Sequence, residues 1–143
     1  MRMNAITSFK GSNAFLSNMY PVDVEFDGIM YPSVEHAFQA AKTIDLEERK
    51  LFRVCSSKEA KKEGRKVNLR ADWDVKKVDI MRSLVKAKFS KPMFKEKLLC
   101  TSGKDLIEGN TWGDTFWGVC RGVGENHLGR ILMDIRSEFE SEQ

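Results

Sequence analysis

The chain has 143 residues, 41% hydrophobic and 31% charged, with a formal net charge of +3. That length suits one domain able to bury most of its apolar surface without disulfides or metal, and no run of about 18 apolar residues is present to span a bilayer. The opening Met1-Arg2-Met3-Asn4-Ala5-Ile6 is too short and polar for a signal peptide, so a cytoplasmic protein with no membrane partner is expected. Cys55, Cys100 and Cys120 are odd in number, lack a C-x-x-C spacing and read as reduced, mostly packing thiols. His36 and His127 are isolated from other ligand-type side chains, so neither a metal nor a cofactor is expected.

In chain order, Phe15 to Pro21 mixes aromatics with Ser and Asn ahead of a proline and reads as an irregular extended loop. Val22, Val24 and Phe26 alternate with acids, Asp27-Gly28 supplies a type I′ turn, and Ile29-Met30-Tyr31 returns, which makes a small N-terminal β-hairpin. Tyr31-Pro32-Ser33 then starts a helix at Val34, with Ser33 as N-cap, running past Lys42. Asp45 with Glu48, and Ser56 with Glu59, have capping-box spacing for two modest helices, the second stopping at Gly64. After a connection at Leu69–Asp74, the spacing of Val75, Val78, Met81, Leu84, Val85 and Phe89 predicts the longest helix. Pro92 opens another helix through Phe94 and Leu98, ending near Thr101-Ser102-Gly103, and Leu106-Ile107-Glu108 suits a short strand. Gly109 to Gly124 has no period and is dense in glycine and aromatics, so it either closes over the core or lines a pocket. Asn126 caps a last helix with an apolar stripe of Leu128, Ile131, Leu132, Ile135 and Phe139, before a fraying polar tail from Glu140. The expected fold is α+β, predominantly helical, in one compact domain spanning 1–143 with its core at about 9–139.

On the Ser33 helix, Val34, Ala37, Ala41 and Ile44 form one apolar stripe, and Glu35, Gln39 and Lys42 line up on a neighbouring one beside Phe38. Such a row is either an ordinary solvated face or a chemical one. Glu35 and Lys42 stand roughly 10 Å apart along the axis, and helical side chains lean toward the N-terminus, which leaves a sugar-sized gap across Gln39. Trp73 either caps the core or offers a flat face to a planar ligand. Lys58, Lys61, Lys62, Arg65, Lys66 and Arg70 form either a solvated face or a patch that attracts phosphate. Gly122-Val123-Gly124 does not fit a nucleotide-binding fingerprint, and Ser17 and Ser33 give no triad signal.

Asn13-Ala14-Phe15-Leu16-Ser17-Asn18-Met19-Tyr20-Pro21, Asp27-Gly28 and Tyr31-Pro32-Ser33-Val34-Glu35-His36-Ala37-Phe38-Gln39-Ala40-Ala41-Lys42 closely resemble the opening of the NADAR (YbiA-like) family. Gly64-Arg65, Trp73, Met81, Lys88-Phe89, Thr101-Ser102-Gly103, Trp112, Asp114, Trp117-Gly118 and Asn126-His127-Leu128-Gly129 follow in matching order. Some members carry an acid directly after the late Trp-Gly. Here Val119 follows Gly118 and the acid is Asp114, which looks like the longer Trp-x-Asp-x-x-Trp-Gly form.

The resemblance implies an N-glycosidase that cleaves the bond between an anomeric ribose carbon and a nitrogen. Its implied substrates are nucleotide-like small molecules: phosphorylated ribosylamino intermediates of riboflavin synthesis, or ADP-ribose on guanine, including guanine in nucleic acid. Such cleavage needs a carboxylate by the sugar and a proton donor by the leaving base. Glu35 suits the acid–base task. Lys42 acts either as a cation holding ribose or phosphate or, with a lowered pKa, as a Schiff-base nucleophile. Asp114 joins them as a catalytic candidate. Trp73, Trp112 and Trp117 are candidates for binding the planar leaving group, Asn18 and Gln39 for ribose hydroxyls, and Arg65 for phosphate. The rival reading is a non-catalytic module that binds ADP-ribose or a modified base.

Overall fold

The computed structural model describes residues 4–143. They fall into two groups by proximity, Asn18–Lys88, and the stretch up to Ser17 together with Phe89–Gln143. The fold is α+β and mainly helical, with a small N-terminal hairpin. Among the described residues, no helix is long and apolar enough to cross a membrane.

In the group 18–88, strands β1 (Val24–Phe26) and β2 (Ile29–Tyr31) form the expected antiparallel hairpin, pairing Val24 with Tyr31 and Phe26 with Ile29. Asp27 and Gly28 both take positive φ, 48° and 83°, as a type I′ turn requires. Buried Arg49 fixes this turn: its Nη1 donates to Asp27 Oδ2 at 3.0 Å, its Nε donates to the Thr43 carbonyl at 2.7 Å, and its guanidinium lies 5.1 Å from the Phe26 ring centroid. The hairpin delivers the chain into α1 (Val34–Ala40), where Ser33 Oγ accepts from the His36 amide at 3.2 Å. The Glu35 amide, another orphan donor of the first turn, donates to the Asn18 carbonyl at 2.9 Å.

Helix α1 is shorter than its sequence predicts. The Arg70 amide donates to the Lys42 carbonyl at 2.7 Å and Arg70 Nη1 to the Ala41 carbonyl at 3.3 Å, taking acceptors that a continuing helix would use. Lys42 therefore lies in the turn after the helix, and Ile44, expected on the buried stripe, is 72% exposed.

Helices α2 (Leu46–Leu51) and α3 (Ser57–Glu63) follow. Asp45 caps α2 through the Glu47 amide, but Glu48 turns away to accept from Thr43 Oγ1 at 2.7 Å, so only half of that capping box forms. Ser56 and Glu59 form theirs in full, at 3.0 and 3.1 Å. The long α4 (Trp73–Phe89) begins at Trp73 and buries Met81, Leu84, Val85 and Phe89, while Val75 is exposed.

In the other group a 3₁₀ turn, Gly11–Leu16, takes in and buries Phe15 and Leu16, the first two residues of the stretch expected to be an irregular loop. Phe15 packs edge-on against Phe89 at 6.4 Å between centroids. Helix α5 (Pro92–Leu99) opens on its proline. Two parallel pairs of two-residue strands also occur, β3 (Ala5–Ile6) with β4 (Asp105–Leu106) and β5 (Gly109–Asn110) with β6 (Val119–Cys120). Helix α6 (His127–Ser141) buries its predicted apolar stripe and continues into the tail expected to fray. Its cap differs from expectation. Asn126 takes φ 54°, and its side chain accepts from the Glu108 amide and donates to the Leu106 carbonyl, each at 3.0 Å. The first amides of α6 are met instead by the loop carbonyls of Phe116 and Trp117. The three cysteines are free thiols, and Cys100 is exposed, so it is not a packing residue.

Candidate active site

Six of the nine candidate residues, Asn18, Glu35, Gln39, Lys42, Arg65 and Trp73, belong to the group 18–88. They are placed by α1 and by what packs on it. Helix α1 buries Val34, Ala37 and Ala40 completely, and α3 brings Ala60, also fully buried, to the same packing. His36 locks the helix end. Its Nε2 donates to the Cys55 carbonyl at 2.7 Å, since a carbonyl only accepts, and its Nδ1 then accepts from Ser33 Oγ at 2.6 Å.

Glu35 is half-buried, and protein atoms crowd it enough that burial is the main influence on its titration, holding the carboxyl above the usual range. Four weaker influences pull the other way: the Gln39 hydrogen bond, then Lys61 of α3, then Lys42, then His36. Gln39 is 5% exposed; its Nε2 donates to Glu35 Oε2 at 2.5 Å, and its Oε1 is buried without a hydrogen-bond partner. Lys42 is also half-buried, and burial draws its ammonium below the ordinary range, with Arg65 adding to the effect and Glu35 opposing it.

Asn18 supports the site through its backbone carbonyl on the Glu35 amide, while its Nδ2 reaches Met81 Sδ at 3.5 Å. Trp73 is only 7% exposed and lies tilted on Phe38, ring centroids 5.0 Å apart, so most of its face is already covered. Arg65 is exposed next to the charge field of Lys42. Arg70, another phosphate candidate, is occupied by Asp72 at 2.6 Å and by the end of α1.

Asp114, Trp112 and Trp117 belong to the other group. Asp114 Oδ1 accepts from the amides of Phe116 and Trp117 at 3.2 and 3.0 Å, and its own backbone is bracketed by the Asn110 side chain at 2.8 and 3.0 Å. Its visible work is to shape the loop. Phe116, Trp117 and His127 form an aromatic cluster, with Phe116 and His127 centroids 4.3 Å apart, and Trp112 is 55% exposed. Among the described residues no cluster of three or more His, Cys, Asp or Glu is placed to hold a metal ion.

Two residues named beforehand for other reasons, Lys61 in the basic cluster and Gly64 as a helix stop, also bear on Glu35. Lys61 acts through its charge, and Gly64 lies directly against the Gln39 amide. Small residues at Ala60 and Gly64, one helical turn apart, mark a face that another helix can approach closely, but not which side chain lies on it.

A carboxyl raised by burial and an amine lowered by burial, Glu35 and Lys42, occur within one short segment of a mainly helical α+β fold, with the Gln39 amide hydrogen-bonded to the carboxyl. A family model described as the NADAR domain matches residues 7–140, and the chain belongs to that family. It is 35% identical over 132 residues to the N-glycosidase YbiA of Escherichia coli, a match covering 89% of this chain and 82% of that protein. It is 35% identical over 134 residues to a riboflavin biosynthesis protein of Vibrio vulnificus, covering 90% of this chain but only 36% of that protein's length. The NMR structure of E. coli YbiA superimposes with a TM-score of 0.82 at 29% identity, covering 99% of this chain and 91% of that one.

Proposed function

We propose that the protein is an N-glycosidase that hydrolyses the bond between an anomeric ribose carbon and a nitrogen. The observation that carries the reading is the pairing on one short segment of a carboxyl held above its usual range with an amine held below its own. The naming of a relative covered over most of its length as an N-glycosidase supports the same chemistry.

Bond cleavage builds positive charge at C1′ and negative charge on the departing nitrogen. A Glu35 carboxyl that keeps its proton nearer neutrality donates it to that nitrogen, and the resulting carboxylate stabilises the sugar and draws a proton from water. Lys42 fits a covalent route. Its neutral amine adds to C1′ as the bond to the base breaks, and water then enters at C1′ and releases the lysine, so the net change is addition of one water. Asn18 holds a ribose hydroxyl and Arg65 a phosphate, while Gln39, buried with its Nε2 on Glu35, aligns the carboxyl and does not reach the sugar.

Two substrate classes fit. Phosphorylated ribosylamino intermediates of riboflavin synthesis are favoured by the Vibrio relative's name, and ADP-ribose on guanine offers the same bond. Incubation with one member of each class, followed by identification of the released sugar and base, tests the reading. Release of a free base and a ribosyl phosphate or ADP-ribose is expected from at least one. Tight binding of both without release would leave a binding module in its place.

A further inference from the structure

We propose that Gly64 is a positioning residue for Glu35, because the absence of a side chain there is what lets the Gln39 amide lie with its Nε2–H on the Glu35 carboxylate. The inference rests on Glu35 being the working acid of the proposed reaction.

Gly64 ends α3 with φ −60° and ψ −20°, ordinary right-handed helical values. A glycine is not needed there for the backbone, and alanine would suit that conformation better. Nor does Gly64 act as the left-handed stop that many helix ends use. What excludes a larger residue is space. A Cβ at position 64 would overlap Gln39 Oε1 and stand 2.7 Å from Gln39 Cδ, inside any van der Waals contact.

Gln39 has little freedom to yield. It is 5% exposed, its backbone is part of α1, and its far nitrogen is engaged by Glu35 Oε2 at 2.5 Å. A buried acceptor with no partner, as Gln39 Oε1 is, is rare in folded proteins. It is tolerated here because the opposite end of the amide is held by a carboxylate. The oxygen occupies the space that a side chain at position 64 would take. The three residues therefore act in series: Gly64 provides the room, Gln39 fills it, and Glu35 receives the hydrogen bond.

Among the described residues, the charges that bear on Glu35 are Lys61 on α3, Lys42 beyond α1 and His36 within it. Gly64→Ala changes none of them. It displaces the Gln39 amide, so the ionised carboxylate loses a donor and Glu35 holds its proton to higher pH.

The test follows the Glu35 carboxyl carbon by NMR titration in the wild type, Gly64→Ala, Gln39→Ala and the double variant. Gly64→Ala should raise the titration midpoint by about one pH unit, Gln39→Ala should match it, and the double variant should add nothing further. Thermal melting provides a second readout, since Gln39→Ala vacates the space and should restore stability lost in Gly64→Ala even if the single variant folds poorly. A midpoint unchanged in Gly64→Ala, or shifts that add in the double variant, overturns the proposal. The titration needs no turnover, so a wild type that cleaves neither substrate class defeats the functional reading while positioning is still judged by the midpoints.

Discussion

Glu35 is costly to the fold in the same measure that it is useful to chemistry. Its carboxyl titrates above the unfolded value, so the native state binds the proton more tightly. That contribution is complete below the unfolded pKa of about 4.5 and is lost as pH rises through the folded value. Above the folded value the fold carries a crowded carboxylate, and there Glu35→Gln, which keeps an acceptor for Gln39, should raise the melting temperature. The gain should fade as pH falls toward the unfolded value of about 4.5. Turnover in the same variant should drop by about 10²–10⁴-fold. A variant that melts higher and still turns over normally would remove Glu35 from the reaction. Lys42→Arg separates the two roles of the amine, since guanidinium keeps the charge, stays protonated and forms no imine. The lowered lysine favours the covalent role, so turnover should fall at least about a hundredfold, and sodium borohydride trapping of a sugar adduct should disappear with it. Retained turnover would assign Lys42 to binding alone.

At the scale of elements, the loop from Gly109 to Gly124 shows how structural and chemical duties can share a residue. Asp114 Oδ1 accepts from two successive amides, an acceptor that asparagine reproduces and alanine does not. Asp114→Ala should cost about 1–3 kcal/mol and speed hydrogen exchange at Phe116 and Trp117, while Asp114→Asn should leave exchange near normal. If Asp114→Asn also loses turnover with the loop intact, the acid has a part in the reaction besides its turn. What could be read beforehand in these elements was local. Ser33, the Ser56–Glu59 box, Asp27-Gly28 and the α6 stripe each place signal and consequence within a turn or two, and all four formed. The end of α1 did not follow its sequence, because the groups that stop it come from Arg70, far along the chain. The pairing of Ala5 with Asp105 is likewise invisible to any short window, since two-residue strands carry no period. Glu35 and Gln39 were legible as helical neighbours one turn apart, whereas Lys42, read into the same row, lies past the helix end. The part played by Gly64 was not legible, because its meaning lies in the side chain it faces.

Across the whole molecule, one buried charge bears on stability at every working pH. Lys88 is 1% exposed, its Nζ stands 5.7 Å from the Tyr20 ring centroid, and burial draws its pKa to about 7. The unfolded chain holds that proton up to about pH 10.5, so between the two values it binds more protons than the native state. Stability from Lys88 is then fully present above the unfolded value and is lost as pH falls through about 7. Its slope over that window approaches 1.4 kcal/mol per pH unit, about one proton's worth. Glu35 acts from its unfolded value of about 4.5 upward, where ionisation removes stability as pH rises, so the two groups contribute slopes of opposite sign. Lys88→Met keeps an unbranched chain of similar reach and removes the charge. It should raise the urea midpoint at pH 7 and flatten its rise between pH 7 and 10. Midpoints that climb in parallel for wild type and variant would show that the slope belongs to another group, and a lower midpoint at pH 7 would show that the buried ammonium is held by more than it costs.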